Sequence, residues 1–214
     1  MRWSFQVAQI RGIAVYVHAT FLILIGMVVL SHWAVGHDFA KALEGAAFML
    51  ALFACIVLHE LGHALTALRF GIRTRDITLY PIGGVARLER MPEEPAHELW
   101  VALAGPAVNV AIALALFVGL SATGRLGPIE RLDMTNGPLL VRILLANAGL
   151  AAFNLLPAFP MDGGRVLRAA LATRLDYARA TRIAATAGQA MALLFGLVGF
   201  FANPFLMFIA LFVW

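Results

Sequence analysis

The residues His59-Glu60-Leu61-Gly62-His63 place two imidazoles four positions apart with a carboxylate between them. On a helix of 3.6 residues per turn that spacing stacks both imidazoles on one face, with a gap between them that suits a metal ion. Glu60, one position along, can reach a water in that gap without itself being a ligand, which is what an H-E-x-x-H hydrolase requires of its general base. A lone histidine on an apolar helix is usually structural, bonded to a neighbouring helix. Three ionisable groups within five residues are a different case. Each charge at the middle of a membrane helix costs on the order of 2.5–3.5 kcal/mol even on the lenient insertion scale, and such groups mark function.

A catalytic zinc takes three protein ligands and keeps one position open. His18, His32, His37 and His97 all lie near the ends of apolar runs. Asp162 instead follows a proline-broken helix end in the run Asn154-Leu155-Leu156-Pro157-Ala158-Phe159-Pro160-Met161-Asp162-Gly163-Gly164, and it is the best-placed carboxylate. The expected centre is therefore one Zn2+ per chain on His59, His63 and Asp162, with Glu60 as the base. Cys55, one helical turn before His59, is read as packing, because small residues pack membrane helices.

The elements that must position these groups are apolar. Of 214 residues, 62% are hydrophobic and 13% charged, against about 25% charged in an ordinary soluble domain. About 20 apolar residues span a bilayer core. The expected fold is a single all-α polytopic membrane domain over residues 1–214, with about six transmembrane segments and short strands or a hairpin at the membrane interface. Residues 1–17 read as interfacial strands. Membrane segments are expected at 18–33, 43–70, 98–120, 138–155, 183–201 and 205–214, the first ending at His37-Asp38. Gly71 is the natural stop of the second. The last is short for a span and reads as truncated. Ile77–Leu88 forms either a hairpin about Pro81-Ile82-Gly83-Gly84 or a passive amphipathic loop at the headgroups.

Sixteen basic groups, fifteen of them arginine, give a formal charge of +4. They cluster at the ends of apolar runs, where arginine anchors a span beside anionic headgroups, so a lipid bilayer and not nucleic acid is the expected partner. Arg2, Arg11, Arg69, Arg73, Arg75, Arg87, Arg90 and the five arginines from Arg165 to Arg182 fall on one side; Lys41, Arg125, Arg131 and Arg142 fall on the other. Positive charge stays cytoplasmic, which predicts a cytoplasmic N-terminus in a prokaryotic cell membrane. The single Cys55 excludes an intramolecular disulfide. No removable signal peptide is evident.

The paired motifs at His59–His63 and Asn154–Gly164, with Gly105-Pro106-Ala107-Val108-Asn109 between them, resemble the site-2 protease family of intramembrane metalloproteases over roughly residues 10–200. The resemblance implies zinc on His59, His63 and Asp162, water activation by Glu60, and hydrolysis of a transmembrane protein substrate. It places Asn154 near the scissile carbonyl, where the alternative is a helix-end cap; for Asn109 the alternative is an interhelical hydrogen bond. Because a substrate helix hides its carbonyls, the peptide must unwind, and the 77–88 segment could take it by β-addition. An adaptor or inhibitor protein is a further partner to expect, and family members of this compact type often carry a C-terminal regulatory domain. Two readings compete. A metal-ion transporter or channel would want relay groups on several spans and often repeated halves, and neither is visible. A structural zinc site would close its fourth position with Cys or His.

Overall fold

The computed structural model describes residues 3–36, 38–92, 94–127, 133–134 and 137–214. Arg2, His37 and Arg131, which entered the charge count and the end of the first span, lie outside them.

Two strands, β1 (Ser4–Ile10) and β2 (Ile13–His18), open the chain. The intervening Arg11 and Gly12 have φ of 49° and 86°, as in the two-residue turns whose twist matches that of the strands they join. A second hairpin, β3 (Thr74–Tyr80) and β4 (Gly83–Leu88), turns at Pro81-Ile82. Strands, and not a passive loop, therefore occupy residues 77–88. Arg87 faces Asp76 across this hairpin, with its Nη2 2.7 Å from both carboxylate oxygens.

The sequence reading treats the two hairpins separately, whereas the structure joins them. β2 pairs in parallel with β3 from Ala14–Asp76 to Val17–Leu79, making one sheet ordered β1-β2-β3-β4. Parallel pairing needs a long crossover, and the helices α1 (Ala19–Gly36) and α2 (Phe39–Arg69) supply it. Ile13 and Ile77 then bury against Leu61 and Ala64 of α2, so the sheet rests on the helix that carries the histidine pair.

α2 begins before the expected Leu43 because Asp38 caps it, accepting from Ala40 N–H at 3.0 Å and Lys41 N–H at 3.3 Å. It ends as expected at Gly71, whose φ of 72° is left-handed. Ile72 N–H donates to Ala67 O and Gly71 N–H to Leu68 O, both at 3.0 Å, the paired bonds that close a helix on glycine.

α3 (Pro95–Ala122) and α4 (Leu139–Asn154) match the apolar runs read at 98–120 and 138–155. Between α4 and the next apolar run lies a helix for which no span was expected, α5 (Asp162–Ala172), carrying Arg165 and Arg168. α6 (Tyr177–Phe201) starts well before the expected Ile183, where Asp176 caps it by accepting from Arg179 N–H at 3.0 Å; α7 (Pro204–Val213) completes the fold. α2, α3 and α6 are long and apolar enough to cross a membrane, while α4, α7 and the apolar part of α1, Ala19–Ser31, are shorter. The protein is thus a mostly helical membrane protein with one small sheet. α3 lies centrally, touching α2, α4 and α5, and α6 packs on α5 and α7.

Ile77 has no exposed surface and joins the sheet to α2. Ile77→Ala is expected to cost about 2–5 kcal/mol, read as a lowered thermal unfolding midpoint in detergent with zinc content unchanged.

Candidate metal centre

His59 and His63 lie past the middle of α2, His59 ten residues or about 15 Å before its end at Arg69. Asp162 is the first residue of α5, reached after the irregular segment 155–161. The three side chains are buried and meet: His59 Nε2 lies 3.1 Å from Asp162 Oδ2, His63 Nε2 lies 3.0 Å from the same oxygen, and the two Nε2 atoms lie 3.1 Å apart. The two motifs converge at one point, bringing together His59 and Asp162, 103 residues apart.

The outer nitrogen of each ring fixes its tautomer. His63 Nδ1 lies 2.6 Å from the Val101 backbone oxygen, which can only accept, so Nδ1 carries the proton. His59 Nδ1 lies 2.5 Å from Asn109 Oδ1, also an acceptor. With both rings neutral, each Nε2 is a bare lone pair pointing at the other and at a carboxylate oxygen. Three acceptors crowded together in a buried place repel one another unless a cation lies among them. The lengths also fit zinc: tetrahedral bonds of about 2.0–2.2 Å set ligand atoms about 3.3–3.5 Å apart, a small expansion of the triangle found here. Nitrogen and carboxylate donors with imidazoles oriented from outside suit zinc in particular.

α3 presses against this triangle. A Cβ on Gly105 would come within 2.6 Å of His59 Nε2 and closer still to His63 Nε2, so only glycine lets the helix approach. In the sequence Gly105 stands out only as part of the stretch Gly105–Asn109; its steric role needs the fold. α5 is held by Glu98 of α3, which is 1% exposed and bonded to Arg168. The Arg168 guanidinium also lies over the rings of Phe159 and Tyr177, 5.2 and 4.9 Å from their centroids. Removing one member of such a pair strands a buried charge, at about 3–5 kcal/mol. Sequence reading gave neither Glu98 nor Arg168 a partner. Arg165, one turn after Asp162, brings its Nη1 to 3.7 Å from the other carboxylate oxygen, Oδ1.

A cavity of about 540 Å3 opens onto the triangle. Glu60 lines it, as do β4 residues Gly83–Ala86 and Asn154 and Phe153 of α4. Gly84 faces Glu60 so closely that a Cβ there would lie 2.9 Å from Glu60 Cγ. The Asn154 amide donates to Leu150 O at 3.0 Å, the helix-end bond weighed as its alternative, and one N–H remains for the cavity. Asn109 makes the expected interhelical bond and bonds a ligand histidine as well. Cys55 is not part of the His59–His63–Asp162 cluster; it accepts from Asn147 Nδ2 at 3.3 Å, in keeping with a packing role.

The model of peptidase family M50 matches residues 47–136 and 127–195. The chain belongs to peptidase family M50. A zinc metalloprotease of Methanocaldococcus jannaschii is 36% identical over all of this chain and 59% of its own length. A Synechocystis protein with a provisional zinc metalloprotease name is 38% identical over 78% of this chain and 44% of its own. This chain thus spans about half the length of these relatives. Among solved structures, a site-2 protease from Methanocaldococcus jannaschii superposes with a TM-score of 0.67 and 37% identity, covering 99% of this chain and 92% of that one. The M50 assignment bears out the resemblance read from the paired motifs, and zinc as the family's metal.

Gly105→Ala is expected to abolish stoichiometric zinc, measured by elemental analysis of the purified protein, while circular dichroism keeps its helical signal.

Proposed function

We propose that this M50 chain is an intramembrane zinc metalloprotease domain, hydrolysing peptide bonds in or near transmembrane segments of membrane proteins. The single observation that carries the reading is the convergence of His59 Nε2, His63 Nε2 and Asp162 Oδ2 at 3.0–3.1 Å on a cavity that Glu60 also lines. The reading takes the whole of residues 1–214 as one catalytic domain crossing the bilayer about six times, with α1, α4 and α7 adding to the three long helices. It keeps the N-terminus, the β3–β4 turn and the Arg165–Arg182 stretch cytoplasmic.

His59, His63 and Asp162 would hold one Zn2+, which supplies Lewis-acid polarisation of a carbonyl and lowers the pKa of a water toward about 7. Glu60 takes the proton from the attacking water and returns it to the leaving amine, the role its place beside the two imidazoles allows. The spare N–H of Asn154, which lines the same cavity, donates to the scissile carbonyl as negative charge gathers on its oxygen. Among the described strands β4 pairs with β3 and stands last in the sheet, which puts it at an edge. A substrate peptide unwound from its helix replaces its lost backbone hydrogen bonds along that edge. Because Gly84 lies against Glu60, pairing there brings a peptide bond to the base.

A transporter would need metal-binding groups along a path. Among the described residues the one cluster with ligand geometry is His59, His63 and Asp162, which favours hydrolysis. An adaptor or inhibitor would meet the basic cytoplasmic face.

Glu60→Gln should retain one zinc per chain and lose roughly 10²–10⁴-fold in cleavage of a single-span substrate in detergent. Substantial residual cleavage by that variant would overturn the assignment of the base. His59→Ala should lose both metal and activity.

A further inference from the structure

Asn147 of α4 belongs to neither motif and lines no part of the cavity, yet it has no exposed surface. Its amide Nδ2 lies 2.8 Å from the backbone oxygen of Ile143. That oxygen can only accept, so the contact fixes which end of the Asn147 amide is nitrogen. Nδ2 also reaches Cys55 Sγ on α2. The amide oxygen is then left to face α3, where it accepts from Asn109 Nδ2 at 2.8 Å. That bond in turn decides which way the Asn109 amide points, with Oδ1 toward His59 Nδ1.

Were Asn109 turned over, its NH2 group would face Nδ1. The ring would then either carry its proton on Nε2, the atom that must bind metal, or oppose two donors. An asparagine amide is nearly symmetrical in shape, so packing by itself scarcely separates the two orientations. The choice has to come from a partner.

We infer that Asn147 is a positioning residue of the metal centre: acting through Asn109, it holds His59 in the tautomer whose Nε2 is free for zinc. The sequence of dependence runs Ile143 O, Asn147, Asn109, His59, and it crosses from α4 to α3 to α2. His63 needs no such device, because its Nδ1 is met by a backbone carbonyl that cannot turn. α4 also carries Asn154 two turns further on, so the helix facing the substrate is tied to the metal ligand by this relay.

The inference rests on the zinc protease reading, and the test separates the two. Zinc retention by full-length protein in detergent is measured by chelator competition, alongside the thermal unfolding midpoint, for wild type, Asn147→Leu and Asn147→Asp. Leucine removes the acceptor for Asn109 at similar volume; aspartate keeps an acceptor oxygen but buries a charge. Asn147→Leu is expected to weaken zinc binding by about tenfold or more, the usual effect of losing an outer-shell partner. Asn147→Asp should stay near wild type in zinc affinity even though its unfolding midpoint falls. Asn147→Ala stands in should the leucine variant not fold. A merely structural asparagine would give the reverse order, with zinc affinity following stability. Unchanged zinc affinity in folded Asn147→Leu or Asn147→Ala would overturn the relay, whereas a wild-type protein that binds no zinc would overturn the protease reading itself.

Discussion

Three lone pairs held within about 3 Å of one another, on buried side chains at the wall of a cavity, are stable together only around a cation. The rest of the structure answers to that constraint. Two of the acceptors come from one turn of α2 and cost nothing in chain topology. The third must be delivered from the far end of the sequence. α3 has to lie between them without filling the space, which is why a glycine faces both imidazoles. α5 has to stay where Asp162 can reach, and the buried Glu98–Arg168 pair fastens it to α3. Each outer nitrogen of the histidines has to be met by an acceptor, and α3 offers one from its backbone and one from Asn109.

Two non-helical elements stand beside the centre, and both suit the proposed hydrolysis. The segment 155–161, interrupted by Pro157 and Pro160, ends α4 and lets α5 set off in a new direction with Asp162 at its first position. The sheet brings β4, its last strand among the described residues, to the cavity that Glu60 lines. In an apolar medium, irregular backbone is tolerated only where protein or an internal cavity covers it. Here it is packed around the site, and Ile13 and Ile77 bury one face of the sheet on α2.

Much of this was readable from local chemistry. The spacing of His59 and His63 fixes their common face because helix geometry is set within one turn. Gly71 marks the end of α2 because a left-handed residue closes a helix wherever it occurs. The β1–β2 hairpin follows from alternation around Arg11-Gly12. α5 escaped because Gly163 and Gly164 weaken its first turn as a helix signal and its arginines read as surface, although Arg168 is drawn inward by a buried glutamate. Asp38 and Asp176 were visible as residues, yet their capping role depends on where the helices behind them start.

The sequence by itself determined the pair of histidines on one helix face, the glutamate beside them, the proline-broken stretch that ends in Asp162 and the apolar helices around them, since each is written in a short run of residues. Only the tertiary structure decided that the two hairpins make one sheet, that Gly105 is a steric gap, and that Asn109 and Asn147 set the face of a histidine. Those facts depend on which helix lies against which. Contacts between residues dozens of positions apart are fixed by packing, and a side chain as versatile as asparagine reveals its partner only once the neighbouring helix is in place.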